Sequence, residues 1–168
     1  VAKNKSKRKQ NIKLIKKLKL DEKKINHNSY KNFSTRIKKI KTDLNSFINK
    51  NHPIAGYGAS TKGNIVLNYN NLGPSKIEYI CDANKKKYGK FTPGSNIKII
   101  SKEKMRSLNP KYLLVLIWSF RSEIIKQELE YINKGGNLIF HLPKFHIINK
   151  ENYKKFINKS FKELSYKY

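Results

Sequence analysis

Apolar residues recur every three or four positions in one part of the chain and form short unbroken runs in several others. The first pattern, from Phe33 to Ile48, predicts an amphipathic helix that starts near Ser29 and ends near Lys50. The apolar runs predict buried strands at 54–56, 76–81, 97–100, 112–118 and 137–142. The remaining spacing predicts helices at 62–70, directly after a Ser101 cap, at 122–134 and around Tyr153, Phe156, Ile157, Phe161 and Leu164.

Strands that alternate with helices indicate βαβ units, which place parallel strands in one sheet with helices on its faces. The run 112–118 is apolar on both sides, which is typical of a central parallel strand. We therefore predict an α/β fold, a Rossmann-like, doubly wound, mostly parallel sheet with flanking helices. Residues 28–168 are predicted to form this domain. Residues 1–27, rich in lysine and poor in aromatics, are predicted to be a basic lead-in or linker, mobile or loosely helical.

The first predicted strand runs into glycines and then into a helix. In this arrangement backbone N–H groups at a helix N-terminus face an anion, and glycines let the anion approach. Ser60, Thr61 and Lys62 add two hydroxyls and an ammonium group that can contact a phosphate. The residues predicted to bind substrate at this turn are Gly56, Tyr57, Gly58, Ala59, Ser60, Thr61, Lys62, Gly63 and Asn64.

Spacing limits the ligands that this turn could hold. A dinucleotide fingerprint needs a third glycine where Thr61 stands, although Asp82 lies roughly where the ribose-binding acid would. An NAD(P)-binding or other dinucleotide-binding module therefore stays open as an alternative. A P-loop is excluded because Gly63 and Asn64, not a hydroxyl residue, follow Lys62. A tight turn without any ligand is the remaining interpretation.

Ligands of open α/β sheets bind beyond the carboxyl ends of the strands. Asp82 and Trp118 both fall at that edge, and Lys87 in the loop 83–95 is placed to fold over it, so all three join the predicted substrate-binding residues. His141 and His146 flank Pro143 near the same edge, but we expect them to be structural or exposed. We predict no catalytic residue, since the sequence contains no assignable Ser–His–Asp or Cys–His set.

The formal net charge is +27, and about half of it lies in the first 50 residues. A basic nucleic-acid-binding or scaffold protein is thus a second alternative. Because only four of the basic residues are arginines, the preferred readers of bases and phosphates, nucleic acid is the less favoured partner. Cys81 is the single cysteine, so a zinc site is not predicted and a reducing, cytoplasmic location is expected. No apolar run has the length of a membrane span.

Several blocks, taken in order, resemble the C-terminal domain of sugar C-methyltransferases over residues 30–148. These enzymes use S-adenosylmethionine (SAM) to methylate carbon in nucleotide-linked keto-sugars. The resembling blocks are Gly56-Tyr-Gly-Ala-Ser-Thr-Lys-Gly-Asn64, Tyr79-Ile-Cys-Asp82, Lys87-Tyr-Gly-Lys-Phe-Thr-Pro-Gly94, Leu114-Val-Leu-Ile-Trp118 and Gly135-Gly-Asn-Leu-Ile139. Ser119 and Ala83 depart from the family pattern.

The resemblance implies a domain that holds a nucleotide-sugar beside a methyl-transfer domain. SAM, zinc and the acid–base residues would belong to upstream domains, in the same chain or in another. The chain begins at Val1 rather than Met, so we expect a fragment or split product that binds no cofactor and is inactive alone.

Overall fold

The computed structural model describes residues 11–159, which fall into two units. The first unit reaches Ile37 and the second begins at Lys38, inside a long helix. This division differs from the predicted boundary at residue 27, which stays a prediction. Phe161 and Leu164, assigned by the sequence to a last helix, lie outside the described residues.

The first unit contains helix α1 and the first part of helix α2. Helix α1 (Ile12–Glu22) starts where the Asn11 side chain accepts a hydrogen bond from the Leu14 N–H at 3.0 Å, and it buries no residue. Helix α2 (His27–Asn51) starts with a reciprocal cap, in which Asn26 and Ser29 each accept a bond from the other's backbone N–H. Its start and end agree closely with the amphipathic helix predicted from the sequence.

The second unit is built on one six-stranded sheet with strand order β3-β2-β1-β4-β5-β6. All neighbouring strands are parallel except β5 and β6, which pair antiparallel. The strands are β1 (Ile54–Tyr57), β2 (Ile77–Asp82), β3 (Ile99–Ser101), β4 (Tyr112–Val115), β5 (Asn137–Phe140) and β6 (His146–Ile148). The helices are α3 (Thr61–Tyr69), α4 (Lys102–Leu108), α5 (Arg121–Gln127) and α6 (Leu129–Asn133). The predicted α/β class and mostly parallel sheet are confirmed.

Alternate residues of the central strands enter two cores, one on each face of the sheet. On one face Val115 packs with residues of α4, α5 and α6. On the other face Leu114 packs with Leu44 and Ile48 of α2 and Leu67 of α3. This division explains why the strand read as apolar on both sides.

Three predicted elements differ from the structure, and the structure adds one strand. The single helix 122–134 is split into α5 and α6 at Glu128, whose backbone leaves helical geometry (φ −111°, ψ 26°). The strand 112–118 ends at Val115, because a 3-10 helix covers Trp118–Phe120. The final helix is, over its described part, a short 3-10 turn at Tyr153–Lys155. Strand β6, after Pro143, was not predicted.

Candidate functional site

A cleft opens at the point where the chain reverses its direction of winding, between the neighbouring strands β1 and β4. From β1 the order runs to β2 and β3 on one side, and from β4 to β5 and β6 on the other. In open α/β sheets this topological switch point is where ligands bind. We call this cavity of about 290 Å³ the switch cleft; it is lined by Ser60, Thr61, Lys62, Leu116, Ile117, Trp118, Ser119 and Phe120.

The glycines of the turn after β1 are required by close packing. Gly58 has φ +91°, and a Cβ there would lie 2.8 Å from two side-chain carbons of Ile117. A Cβ on Gly63 would lie 2.8 Å from the Leu116 Cβ, so this glycine lets α3 approach the chain that continues β4. Gly63 therefore has the helix–strand packing role of the third fingerprint glycine, although it stands two positions later in the sequence.

The start of α3 presents donors to the switch cleft. The Ser60 hydroxyl accepts a hydrogen bond from the Gly63 N–H at 3.0 Å and so acts as the N-cap. Thr61 and Lys62 are exposed, and their N–H groups belong to the first helical turn, which has no intrahelical acceptors. Of the three polar residues predicted to contact a phosphate, Ser60, Thr61 and Lys62, the last two keep polar groups that are open to a ligand.

Asp82 and Lys87 hold the turn in place. The Asp82 carboxylate accepts bonds from the Ala59 N–H at 2.8 Å, the Asn84 N–H at 2.8 Å and the Lys87 Nζ at 3.2 Å. The Lys87 Nζ also donates to the Ala59 carbonyl at 2.8 Å. Sequence spacing placed both residues at this edge, and their contacts give them a positioning role.

A second cavity of about 500 Å³, the loop cleft, lies on the other side of the helix start. The loop 83–95 closes it by packing back on α3, where Asn68 Nδ2 donates to the Pro93 carbonyl at 3.1 Å. The two clefts share Ser60 and Thr61. The loop cleft is lined by Ala59, Ser60, Thr61, Asn64, Lys87, Lys90, Phe91, Thr92, Pro93 and Ile99.

Comparison with known proteins agrees with this architecture. Residues 1–143 match the family described as C-methyltransferase C-terminal domain. The chain belongs to this family. It is also 33% identical over 127 residues to C-methyltransferase NovU of Streptomyces niveus. That match covers 73% of this chain and 30% of NovU, so the chain spans less than a third of its relative.

In this C-methyltransferase C-terminal domain, Tyr57 points away from both clefts. Its side chain is buried, and its hydroxyl donates to Glu128 Oε1 at 2.7 Å. Burial, with the adjacent Glu128 carboxylate, raises the pKa of Tyr57 far above its ordinary value. The position of this side chain offers no support for the predicted substrate contact.

Glu128 was missed by the sequence reasoning. It is 1% exposed, and Arg106 donates to both of its oxygens, from Nε at 3.0 Å and from Nη2 at 2.7 Å. One signal was present: Glu128 lies four residues from both Ile124 and Ile132, on the apolar stripe of the predicted helix. A buried charge on such a stripe needs a partner of opposite charge. Only the folded structure shows that this partner is Arg106.

His141 directly follows β5 and contacts the wall of the switch cleft. Its ring is 2% exposed and meets the Trp118 ring edge to face, with centroids 4.8 Å apart and planes at 75°. Within residues 11–159 neither ring nitrogen has a hydrogen-bond partner. Burial lowers the pKa of His141 to about 4, with a further contribution from His146. His146 itself stacks between Phe140 and Phe156.

We expect the free energy of unfolding to fall as the pH is lowered from 6.5 towards 4. The unfolded chain protonates a histidine near pH 6.5, whereas folded His141 takes up a proton only near pH 4, so acid favours the unfolded state. The loss attributable to His141 is about 2 kcal/mol between pH 6.5 and pH 5. Urea unfolding at each pH measures it. His141→Phe should flatten this slope, whereas replacing the exposed His52 with Phe should not; parallel slopes for all three proteins would contradict the assignment.

No group of three or more His, Cys, Asp or Glu side chains within residues 11–159 is placed to hold a metal ion. Cys81 is buried in β2, and burial raises the pKa of its thiol to about 12. In the same part of the chain, no helix combines the length and apolar character needed to cross a membrane.

Proposed function

We propose that this chain is the nucleotide-sugar-binding portion of a SAM-dependent sugar C-methyltransferase. The observation that carries the proposal is the switch cleft, where the N-terminus of α3 opens at the carboxyl ends of β1 and β4. A helix N-terminus attracts phosphate through its unpaired N–H groups and its dipole. The diphosphate of a nucleotide-sugar is the anion that fits this placement.

Cationic side chains surround the same position. Lys62 lines the switch cleft, while Lys87 and Lys90 line the loop cleft. Lys62 is exposed at the first turn of α3, where its ammonium group can reach a bound diphosphate. Because Lys87 is bonded to Ala59 and Asp82, Lys62 is the group that we assign to direct phosphate contact.

The acidic residue at the end of β2 argues against a dinucleotide or SAM at this edge. Such cofactors place a ribose diol on a carboxylate there. Here the Asp82 oxygens accept three hydrogen bonds from the protein, so this group does not fit a ribose. We assign SAM, zinc and the acid–base residues to a part of the enzyme outside this chain, which corresponds to the portion of NovU beyond the matched 30%.

Methyl transfer by the isolated chain is therefore not expected. The test is incubation with radiolabelled SAM and a keto-sugar nucleotide, followed by separation of labelled sugar. Transfer above the level of a boiled control would contradict the assignment of catalysis to another part of the enzyme.

Lys62→Ala is expected to raise the Kd for dTDP-glucose about tenfold, since a charge-assisted contact of about 1.5 kcal/mol is lost. Isothermal titration calorimetry measures the change. Lys16→Ala removes an exposed lysine from α1 and is the matched control, with an expected change of less than twofold. Equal effects of the two substitutions would show that binding follows overall charge, as expected for a basic nucleic-acid-binding protein, and would reject the cleft.

A further inference from the structure

Trp118 is the one tryptophan of the chain, and it lines the switch cleft together with Leu116, Ile117 and Phe120. Phe120 is 55% exposed, so a second aromatic ring stands at the mouth of this cavity. The loop cleft is lined by two lysines, Lys87 and Lys90, and by one aromatic ring, Phe91, whereas the switch cleft is lined by one lysine, Lys62. The helix start thus lies between a cavity with two aromatic rings, one of them the tryptophan, and a cavity with two lysines.

The Trp118 ring packs against one buried side chain, that of His141. His141 is buried against it edge to face, and within the described part of the chain neither of its ring nitrogens has a hydrogen-bond partner. A buried polar group without a partner destabilises a fold relative to a hydrogen-bonded one. His141, which carries this unfavourable burial, contacts the wall of the switch cleft. Its edge-to-face contact with Trp118 fixes the plane of the indole.

Size decides which portion of a ligand each cavity takes. Pockets that enclose a whole small molecule have volumes of roughly 300–1,000 Å³. The switch cleft, at about 290 Å³, has room for one planar ring system, and the loop cleft, at about 500 Å³, has room for more. Because Thr61 lines both cavities, a diphosphate on the helix N-terminus leaves one ligand end in each.

We propose that Trp118, braced by His141, is the stacking surface for the nucleobase, and that the sugar lies in the loop cleft. This orientation rests on the proposed nucleotide-sugar function, with the diphosphate at Thr61 and Lys62. Stacking of a base on an aromatic side chain strengthens binding by roughly one to two orders of magnitude. His141 is a positioning residue in this arrangement, since it acts on the ligand through the indole.

The test uses the fluorescence of Trp118, which reports on the switch cleft without a second tryptophan to obscure it. Titration with dTDP should quench the emission, whereas inorganic pyrophosphate should leave it unchanged while competing with dTDP. Trp118→Leu should raise the Kd for dTDP about tenfold by calorimetry and the Kd for pyrophosphate by less than twofold. Trp118→Phe keeps a stacking ring and should stay within about threefold of the unchanged chain for dTDP.

Three further variants complete the design. Tyr69→Leu removes an exposed aromatic ring of α3 that lines neither cleft, and it should leave both Kd values unchanged. His141→Ala, which frees the indole, should shift the Trp118 emission and weaken dTDP binding, whereas His141→Phe should preserve both. Circular dichroism and urea unfolding confirm that each variant is folded.

The possible outcomes separate the two proposals. Equal weakening of dTDP and pyrophosphate by Trp118→Leu, with the Lys62→Ala effect intact, would overturn the base-stacking surface and leave the nucleotide-sugar site standing. Quenching by pyrophosphate as strong as by dTDP would do the same. An unchanged chain that binds neither dTDP nor pyrophosphate would overturn both.

Discussion

Replacing Arg106 with methionine is expected to lower the free energy of unfolding by about 3 kcal/mol. The Arg106 guanidinium donates to both oxygens of Glu128, which is 1% exposed, and the substitution leaves this buried carboxylate without its cation. The loss lies at the low end for a broken buried pair because the Arg106 side chain is itself 44% exposed and partly screened by water. Urea unfolding at pH 7 measures it.

The double variant Arg106→Met, Glu128→Gln supplies the internal control. It removes the buried charge together with its partner, so most of the lost stability should return. Lys134→Met breaks an exposed pair with Glu130, in which the two side chains are 63% and 81% exposed, and should change stability far less than Arg106→Met does. A double variant as unstable as Arg106→Met alone would show that the arginine acts by packing and not by pairing.

Gly58→Ala is expected to destabilise the domain by about 3 kcal/mol. Two costs combine at this position. The φ of +91° strains any residue with a Cβ, and the added methyl would lie 2.8 Å from both Cγ1 and Cγ2 of Ile117. Because Ile117 lines the switch cleft, the variant should also weaken dTDP-glucose binding. Urea unfolding and calorimetry measure the two effects.

Gly135 offers a matched control for the part of the stability loss that comes from backbone strain alone. Its φ is +96°, and a Cβ there would meet nothing within 4 Å. Gly135→Ala should therefore cost about 1 kcal/mol, and the excess at Gly58 reports the collision with Ile117. Adding Ile117→Ala to Gly58→Ala should recover part of that excess relative to the sum of the single variants. A Gly58→Ala variant no less stable than Gly135→Ala would falsify the packing explanation of this glycine.

The fold was largely predictable because the order of its strands and helices follows from local patterns of apolar residues in the sequence. Alternation of apolar runs with helical spacing indicates a doubly wound sheet whatever the details of packing. The errors arose where tertiary contacts override periodicity. The helix 122–134 is interrupted at Glu128, which is hydrogen-bonded to Arg106 and Tyr57. The predicted strand ends before Trp118, whose ring packs against His141. None of these three partners is close in the sequence to the residue that it contacts.

The location of the candidate site could be predicted from the sequence, but the roles of its individual residues could not. The glycine turn, Asp82 and Trp118 were assigned to one edge of the sheet because parallel strands end there together. The sequence does not say which polar groups are already used by the fold. In the structure the Ser60 hydroxyl caps α3, and the Asp82 carboxylate and Lys87 ammonium bond to each other and to the turn. Thr61, Lys62 and Trp118 keep their functional groups at the clefts.

By itself, the sequence of this C-methyltransferase C-terminal domain determined the α/β class, the parallel core strands and the glycine turn before a helix, since each follows from residues adjacent in the chain. Only the tertiary structure decided that Tyr57 serves the core through Glu128 and that His141 stands behind Trp118. It also divided the site into a switch cleft and a loop cleft on either side of one helix start. The reason is that hydrogen-bond partners, burial and cavity walls are set by residues far apart in the chain, which only the packed sheet brings together.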